Sequence, residues 1–251
     1  MILKNPVPFY FDADDTIFDT RGWFIKQAWD NGTSVHPSSL RLHPELSLPD
    51  HMLKREIQNG FLESAEFMDQ TALLPYAKHL LLALIGIGVP VEIVTHRGYH
   101  PKGKELTENL LAQYGLSNVK VHAVPTSVCK LKFCDGLTGG KPFVLFDDNY
   151  DARKPHYEKI GSPLYDQLYC VTQPWNINPP EAFGATRDKC VARLAVEALI
   201  NFCGVATINA AELLGAVNAA ATPAEHAAHA AREFYISAAL RDPRSRNYDH
   251  C

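Results

Sequence analysis

The chain has 251 residues, an apolar fraction of 46% and a formal net charge of −4. This length suits one large domain, or a core domain with a small accessory lobe. The mild acidity gives no electrostatic basis for binding duplex DNA or a membrane surface, so we expect neither as a partner. The six cysteines form no CxxC pair or zinc pattern, and the N-terminus lacks a signal-peptide layout. We therefore expect a cytoplasmic protein with reduced cysteines.

Five short apolar runs predict the strands of one sheet. All are rich in Val, Ile, Tyr and Phe, and they cover residues 6–11, 89–94, 119–124, 142–146 and 167–172. None alternates cleanly between apolar and polar residues, which indicates burial on both faces, as in a parallel sheet covered by helices. Helical patterns over 74–88 and 102–116 separate the runs, and Gly115 is the expected C′ residue of the second helix. This alternation predicts a doubly wound α/β sheet.

Two further regions do not follow the alternation. Residues 19–73 contain no convincing strand, and two helical patterns around a proline-containing loop predict a small helical lobe there. The tail is helical and rich in alanine, and Thr222, Pro223 and Glu225 form a capping-box start. We therefore predict three parts: a core of 1–18 plus 74–185, a helical insertion of 19–73, and a helical C-terminal extension of 186–251.

Acidic residues follow the first and fourth predicted strands. Asp12 and Asp14 come directly after "PFYF", Asp147 and Asp148 come after "PFVLF", and Thr95 ends "VEIV". The carboxyl ends of parallel strands meet at one edge of the sheet, where ligands bind. Neighbouring carboxylates both ionise only if they share a cation; otherwise one stays protonated and can serve as an acid. A set of ligands made only of oxygen atoms suits Mg²⁺.

The segment before the fourth predicted strand holds two candidate lysines. Lys130 begins an apolar spacing that continues through Phe133, Cys134 and Leu137, which predicts that it lies on the buried face of a helix. Lys132 would point elsewhere. We therefore favour Lys130 as the lysine of the site.

The ordered set of motifs resembles the haloacid dehalogenase superfamily. The stretch "FYFDADDTI" is similar to its first motif, an apolar strand followed by Asp-x-Asp-x-Thr. The stretch "VEIVTHR" is similar to the second motif, a lysine forms the third, and "FVLFDDN" is similar to the fourth. The resemblance covers roughly residues 6–172, and it implies a C1-type cap at 19–73. Asp15 departs from the pattern, because the family commonly has glycine before the motif threonine.

The resemblance implies a role for each site residue. Asp12 would be the nucleophile that attacks phosphorus, and Asp14 would be the general acid and base. Thr95 would hydrogen-bond a phosphoryl oxygen, and Lys130 would neutralise the transferring group. Dehalogenases lack a carboxylate at the position of Asp14, so their chemistry is not implied. The implied Mg²⁺ ligands are Asp12, the backbone carbonyl of Asp14, Asp148, and Asp147 directly or through water.

A narrower similarity concerns the substrate. The small cap, the "THR" run at 95–97 and the Asp-Asp-Asn fourth motif are similar to the 5′(3′)-deoxyribonucleotidase branch. His96 and Arg97 are candidate substrate contacts, although Arg97 could equally cap a helix. Trp23 and Phe24 of the insertion, together with Phe18, could stack a base, but packing of the lobe's own core is favoured. We expect a Mg²⁺-dependent phosphomonoester hydrolase that acts on a small phosphorylated substrate, with nucleotides among the candidates.

Two alternatives stay open at this point. One is the same chemistry on another small phosphorylated metabolite or on the 3′ end of a polynucleotide. The other is a catalytically silent assembly protein, in which the small residues of the tail would pack between the subunits of a homo-oligomer. His226 and His229 of the tail have no further ligand in view, and we expect them on an exposed helix face.

Overall fold

A five-stranded parallel sheet forms the centre of the protein. The computed structural model describes residues 2–32, 60, 62–148, 161–173 and 190–241. The strands have the spatial order β3-β2-β1-β4-β5, and every neighbouring pair is parallel. Their bounds are β1 (Phe9–Phe11), β2 (Val91–Thr95), β3 (Lys120–Ala123), β4 (Val144–Asp147) and β5 (Leu168–Cys170). The predicted doubly wound α/β fold is confirmed, since each predicted run supplies one strand.

Helices connect the strands and cover both faces of the sheet. Two short 3₁₀ helices span His96–Tyr99 and Pro163–Gln167. Within the part of the chain that the structure describes, no helix is long and apolar enough to cross a membrane. The α-helices are α1 (Thr20–Asp30), α2 (Phe67–Gln70), α3 (Ala77–Gly86), α4 (Gly103–Gln113), α5 (Lys130–Thr138), α6 (Val191–Cys203), α7 (Thr207–Ala220) and α8 (Pro223–Arg241).

Two helix ends follow their sequence signals. Gly115 lies just beyond the end of α4 with a φ of 77°, in the left-handed region expected of a C′ glycine. At the start of α8, the Glu225 amide donates to Thr222 Oγ1 at 3.2 Å, and the Thr222 amide donates to Glu225 Oε2 at 2.8 Å. These reciprocal bonds are those of a capping box, which confirms the predicted start.

The core explains why the strands show no alternation. Phe9 and Phe11 of β1 belong to one hydrophobic cluster, whereas Tyr10 between them belongs to a second cluster on the other side of the sheet. Successive side chains of a strand point to opposite faces, so a strand covered on both faces needs apolar residues throughout. The described cysteines form no disulfide bond, and Cys129 and Cys134 are buried in the second cluster.

The described residues of the 19–73 insertion are largely helical. They contain α1, a helical turn at 62–64 and α2. The second predicted helix is interrupted at the buried Ala65, whose φ of 55° is incompatible with a continuous right-handed helix. The proline-containing loop lies outside the described residues. The division of the chain into core, cap and extension therefore stays a prediction.

The C-terminal helices pack onto the sheet layer. Buried residues of α6, among them Ala195 and Leu199, belong to the same cluster as β1 and α3. In α8, His226 Nδ1 lies 3.0 Å from the hydroxyl of Tyr76, and the ring of His229 lies 4.8 Å from the Tyr76 ring. His226 remains exposed but His229 is half-buried, so the expected exposed histidine face is only partly right.

Candidate active site

The first and fourth motifs meet at the carboxyl edge of the two central strands. Asp12 follows β1, and its amide donates to the Phe146 carbonyl of β4 at 2.8 Å. Asp147 ends β4, and Asp148 is the next residue. One carboxylate oxygen from each of Asp12, Asp147 and Asp148 lies within 4.8 Å of the others, and all three residues are buried. The strand order therefore brings together the carboxylates that the sequence predicted to converge.

Lys130 joins this cluster of three carboxylates. It is the first residue of α5 and is 7% exposed. Its Nζ lies 2.9 Å from Asp12 Oδ1 and 2.8 Å from Asp147 Oδ2. Lys132 is exposed, and Leu137 of the same predicted spacing is 43% exposed. Of the two candidates, the structure thus brings Lys130 to the carboxylates.

The cluster itself is rich in negative charge. Its three carboxylates face the one ammonium group of Lys130, so these four groups together carry two negative charges at a buried position when all are ionised. Burial raises the pKa of Asp12 to about 6, although Lys130 acts in the opposite direction. Burial, followed by the charges of nearby carboxylates, raises the pKa of Asp148 well above its usual range. A divalent cation would offset the charge of the carboxylates, and their all-oxygen donor set fits Mg²⁺.

Asp14 lies beside the cluster and has its own cation. Arg97 Nη2 donates to Asp14 Oδ1 at 2.7 Å, and Arg97 Nε donates to Asp14 Oδ2 at 3.1 Å. The Thr20 hydroxyl donates to Asp14 Oδ1 at 2.6 Å. Burial alone would raise the pKa of Asp14, but the Arg97 charge and the hydrogen bonds from Arg97 and Thr20 more than offset it and lower the pKa. Asp14 is therefore held as a carboxylate.

Arg97 links three parts of the protein and is 1% exposed. Besides Asp14, its Nη1 donates to the Met68 carbonyl of α2 at 3.0 Å and to Thr107 Oγ1 of α4 at 3.1 Å. The guanidinium carbon lies 5.3 Å from the ring centroid of Phe18 and 5.4 Å from that of Phe67. Each of the three guanidinium nitrogens of Arg97 donates within the protein, and this residue joins the first-motif loop to the insertion. Its predicted contact with substrate remains untested.

Two glycines allow the chain to pass closely around Arg97. A Cβ atom on Gly103 would lie 2.0 Å from the Arg97 carbonyl oxygen, and one on Gly98 would lie 2.6 Å from the backbone of Val124. Real Cβ atoms do not approach other atoms so closely. The glycines in "HRGYHPKG" are therefore required by packing, which the sequence alone did not indicate.

Thr95 ends β2 and His96 follows it, and the surroundings of the two side chains differ. Thr95 is fully buried, and within the described residues its Oγ1 has no hydrogen-bond partner. A buried hydroxyl without a partner costs about 1–3 kcal/mol, so a ligand oxygen at this position would be stabilising. His96 Nε2 lies 2.9 Å from the Val128 carbonyl and donates to it. This bond fixes the loop that leads to Lys130, while the predicted contact of His96 with substrate stays a prediction.

Asp15 occupies a backbone conformation that favours glycine. Its φ is 57°, in the left-handed region that favours glycine, the residue that the sequence resemblance predicts at this position; aspartate is among the residues that tolerate this region. The Asp15 side chain accepts a hydrogen bond from the Arg21 amide at 2.7 Å, and the Arg21 Nε lies 3.7 Å away. Burial raises the pKa of Asp15 to about 7 despite Arg21. The Gln173 side-chain amide donates to the Asp15 carbonyl.

The aromatic residues of the insertion pack among themselves. The ring centroids of Trp23 and Phe24 are 5.4 Å apart, and those of Phe24 and Phe67 are 5.1 Å apart. Both Trp23 and Phe24 pack against the small buried cluster that contains Phe67 and Met68. This arrangement favours the interpretation that these rings hold the lobe together over the one in which they stack a base.

Sequence reasoning missed three polar contacts of the site. Thr20, Thr107 and Gln173 bond to Asp14, Arg97 and Asp15, respectively. Thr20 could have been suspected, because it begins the helix that follows the first motif. The other two carry no sequence signal, since Gln173 is 158 residues from Asp15 in the chain and Thr107 lies on a different helical element from Arg97.

Comparisons with known proteins give matches among solved structures alone. Neither a protein-family model nor a curated protein sequence matches the chain. One similar structure is a dehalogenase, with 14% identity, coverage of 80% of this chain and 99% of that chain, and a TM-score of 0.47. Another is L-2-haloacid dehalogenase from Xanthobacter autotrophicus, with 17% identity, coverage of 72% and 80%, and a TM-score of 0.38. The same enzyme with chloropropionic acid covalently bound gives 16% identity, coverage of 83% and 86%, and a TM-score of 0.38. Dehalogenases are thus among the similar structures, but likeness at this level carries no information about the reaction.

Proposed function

We propose that this chain is a Mg²⁺-dependent phosphomonoester hydrolase of the haloacid dehalogenase superfamily. The observation that carries the proposal is the buried convergence of Asp12, Asp147 and Asp148 with Lys130 at the carboxyl edge of the sheet. The fourth and first motifs are adjacent in space, as the family resemblance requires.

Electrostatics favour a charged substrate together with a divalent ion. The Asp14 carboxylate is paired with Arg97, and the Asp15 carboxylate lies 3.7 Å from Arg21, whereas Lys130 faces both Asp12 and Asp147. Bound Mg²⁺ would neutralise the cluster and lower the repulsion between its carboxylates and an incoming phosphate. Asp12, Asp147 and Asp148 would hold the ion through their carboxylate oxygens.

The residues have separable tasks in the proposed reaction. A carboxylate oxygen of Asp12 attacks phosphorus, and the bond from phosphorus to the alcohol oxygen breaks, giving an aspartyl-phosphate and an alcohol that takes up one proton. Lys130 contributes positive charge, and the buried Thr95 hydroxyl is available to a phosphoryl oxygen. Water then attacks the intermediate and gives up a proton, which returns Asp12 and releases inorganic phosphate.

Asp14 is the candidate for both proton transfers. Its pairing with Arg97 favours the ionised form, which suits removal of a proton from the attacking water in the second step. Donation to the leaving alcohol requires the protonated form, so Asp14 must take up a proton before the first step. A carboxylate at this position also separates the chain from dehalogenases, which the resemblance describes as lacking it.

The buried charges argue against a silent assembly protein. Three carboxylates held within 4.8 Å of one another destabilise the fold when they are ionised without a counterion. A protein without catalytic or metal-binding function gains nothing from that repulsion. The substrate is proposed to be a small phosphorylated molecule, and nucleoside monophosphates are the first class to test because of the resemblance to deoxyribonucleotidases.

Phosphate release from p-nitrophenyl phosphate tests the proposal, with Mg²⁺ or with EDTA. We expect Mg²⁺-dependent turnover that Asp12→Asn abolishes, while Asp30→Asn on the exposed face of α1 serves as the matched control and keeps normal activity. A panel of nucleoside 5′-monophosphates, sugar phosphates and 3′-phosphorylated oligonucleotides then separates the substrate classes. Turnover that is unaffected by EDTA, or normal activity of Asp12→Asn, would overturn the proposal.

A further inference from the structure

The last helix, α8, contacts the rest of the protein along one face. Glu225, His229 and Arg232 are spaced at intervals of four and three, which puts them on the same side of a helix. At the start of this face, His79 Nε2 of α3 lies 3.2 Å from Glu225 Oε2. The histidine contacts with Tyr76 follow. The start of α8 therefore packs against the beginning of α3, which lies near the carboxyl edge of the sheet, since the Leu74 amide just before α3 donates to the Ile17 carbonyl.

At that edge, Arg232 is connected through Gln173 to the loop that carries the first motif. Its side chain is 10% exposed, and its Nε donates to Gln173 Oε1 at 3.4 Å. Gln173 lies three residues beyond the end of β5, is 2% exposed, and donates through Nε2 to the Asp15 carbonyl. Glu233 Oε1 lies 3.2 Å from Arg232 Nη1 and faces the same guanidinium. A chain of polar contacts thus connects α8 to the backbone directly after Asp14.

The donors and acceptors of these groups determine how the Gln173 side-chain amide is oriented. A glutamine amide has an accepting end and a donating end, whereas a guanidinium group can only donate. Arg232 therefore selects the orientation in which Gln173 Oε1 faces α8 and Gln173 Nε2 faces Asp15. Without the guanidinium, the amide could turn and present its oxygen to the Asp15 carbonyl, where two acceptors repel.

The Asp15 backbone is a position where such a restraint matters. Its φ of 57° is uncommon for a residue other than glycine, so neighbouring contacts must hold it. Its amide donates to the Phe18 carbonyl at 2.8 Å, and Gln173 satisfies its carbonyl from the other side. Asp14 immediately precedes Asp15 and Asp12 lies three residues before it, so the conformation at Asp15 restrains the loop that carries both carboxylates.

We propose that Arg232 is a positioning residue, which acts through Gln173 to hold the Asp15 carbonyl and thereby the loop that carries Asp12 and Asp14. The C-terminal extension is then a part of the active centre rather than a separate packing surface. The expected effect of Arg232 on kcat rests on the proposed phosphatase function, whereas its expected effect on the order of the loop is independent of that function.

The test combines kinetics with hydrogen exchange of the loop in the full chain. Arg232→Met should lower kcat for p-nitrophenyl phosphate in Mg²⁺ about 10–100-fold and change KM little, because a displaced catalytic group costs turnover more than binding. Amides of residues 15–18 should exchange faster. Arg232→Lys, which keeps a donor, should recover most of both properties. Gln173→Glu should match or exceed the loss in Arg232→Met, although it pairs well with arginine, because it presents an acceptor to the Asp15 carbonyl.

His226→Ala is the matched control on the same face of α8. It removes the contact with Tyr76 but leaves the contacts from Arg232 through Gln173 to Asp15 in place, so it should lower the melting temperature while kcat and loop exchange stay unchanged. Equal losses of kcat in His226→Ala and Arg232→Met would show that docking of the helix alone matters, and would overturn the proposal. Unchanged loop exchange in Arg232→Met would overturn it as well. A wild-type chain without phosphatase activity would refute the proposed function, while the exchange measurement would still decide the role of Arg232.

Discussion

Replacing Asp12 by asparagine should abolish turnover and yet stabilise the metal-free protein at pH 8. In the folded state the pKa of Asp12 is raised from 3.8 to about 6 by burial. Because the folded protein holds this proton more tightly than the unfolded chain, protonated Asp12 contributes to the free energy of unfolding. This contribution is fully present below the unfolded pKa of 3.8, and it is lost as the pH rises through about 6. At pH 8 the wild type therefore bears the full cost of a buried carboxylate, which the neutral amide avoids.

The size of this effect follows from the pKa shift. A shift of one pKa unit corresponds to about 1.4 kcal/mol, so the rise of the Asp12 pKa to about 6 amounts to roughly 3 kcal/mol of unfolding free energy at pH 8. For a chain of this length, that gain raises the melting temperature by roughly 6–12 °C. The attraction of Lys130 already contributes to the shift and needs no separate correction.

Thermal unfolding followed by circular dichroism, in EDTA at pH 8 and at pH 5, measures the effect. We expect Asp12→Asn to melt above the wild type at pH 8, with a smaller difference at pH 5. Saturating Mg²⁺ should narrow or reverse this difference in melting temperature, because the wild type keeps the Asp12 carboxylate, binds the ion more tightly and is therefore stabilised more. Asp14→Asn is the matched control: its pKa is lowered, so loss of its charge should destabilise the protein at pH 8. If both asparagine variants shift the melting temperature in the same direction in EDTA, the charge assignment of the site is wrong.

Three further predictions concern the neighbours of the carboxylates. Lys130→Met should lower kcat at least about 100-fold because it removes the cation beside the nucleophile, whereas the exposed Lys132→Met should keep normal kinetics; similar effects of the two would contradict the assignment. Arg97→Lys should lower kcat about 10–100-fold, since a lysine cannot bond Asp14, α2 and α4 at the same time. An unchanged kcat in Arg97→Lys would refute the linking role of Arg97. Gly103→Ala should lower the unfolding free energy, measured by urea titration, by about 1–3 kcal/mol, because its Cβ clashes with the Arg97 carbonyl. Gly136→Ala has open space at its Cβ and should raise the unfolding free energy by about 0.5–1 kcal/mol. Equal effects of the two substitutions would refute the packing argument.

The sheet and the positions of the acidic motifs could be predicted because their signals are local. A strand buried on both faces must be apolar throughout, and Phe9 to Phe11 show this pattern in the sequence and in the structure. Once the strands are parallel, their carboxyl ends share one edge, so the neighbourhood of Asp12 and Asp147 follows from topology. The helical spacing around Lys130 likewise indicated which lysine faces inward.

Contacts between distant segments could not be predicted in the same way. The "THR" run at 95–97 suggested contacts with a substrate, but only the tertiary structure shows that Arg97 is buried between Phe18 and Phe67 and paired with Asp14. The helical extension was visible as an alanine-rich amphipathic pattern, but its approach to Gln173 was not.

The sequence by itself determined which segments become strands and helices, and which strand ends carry carboxylates, because hydrophobic periodicity and capping act over a few residues. Only the tertiary structure decided which cation stands beside each carboxylate, because burial and partners from distant segments set that pairing. Lys130 faces Asp12 and Asp147, Arg97 holds Asp14, and Arg21 lies beside Asp15.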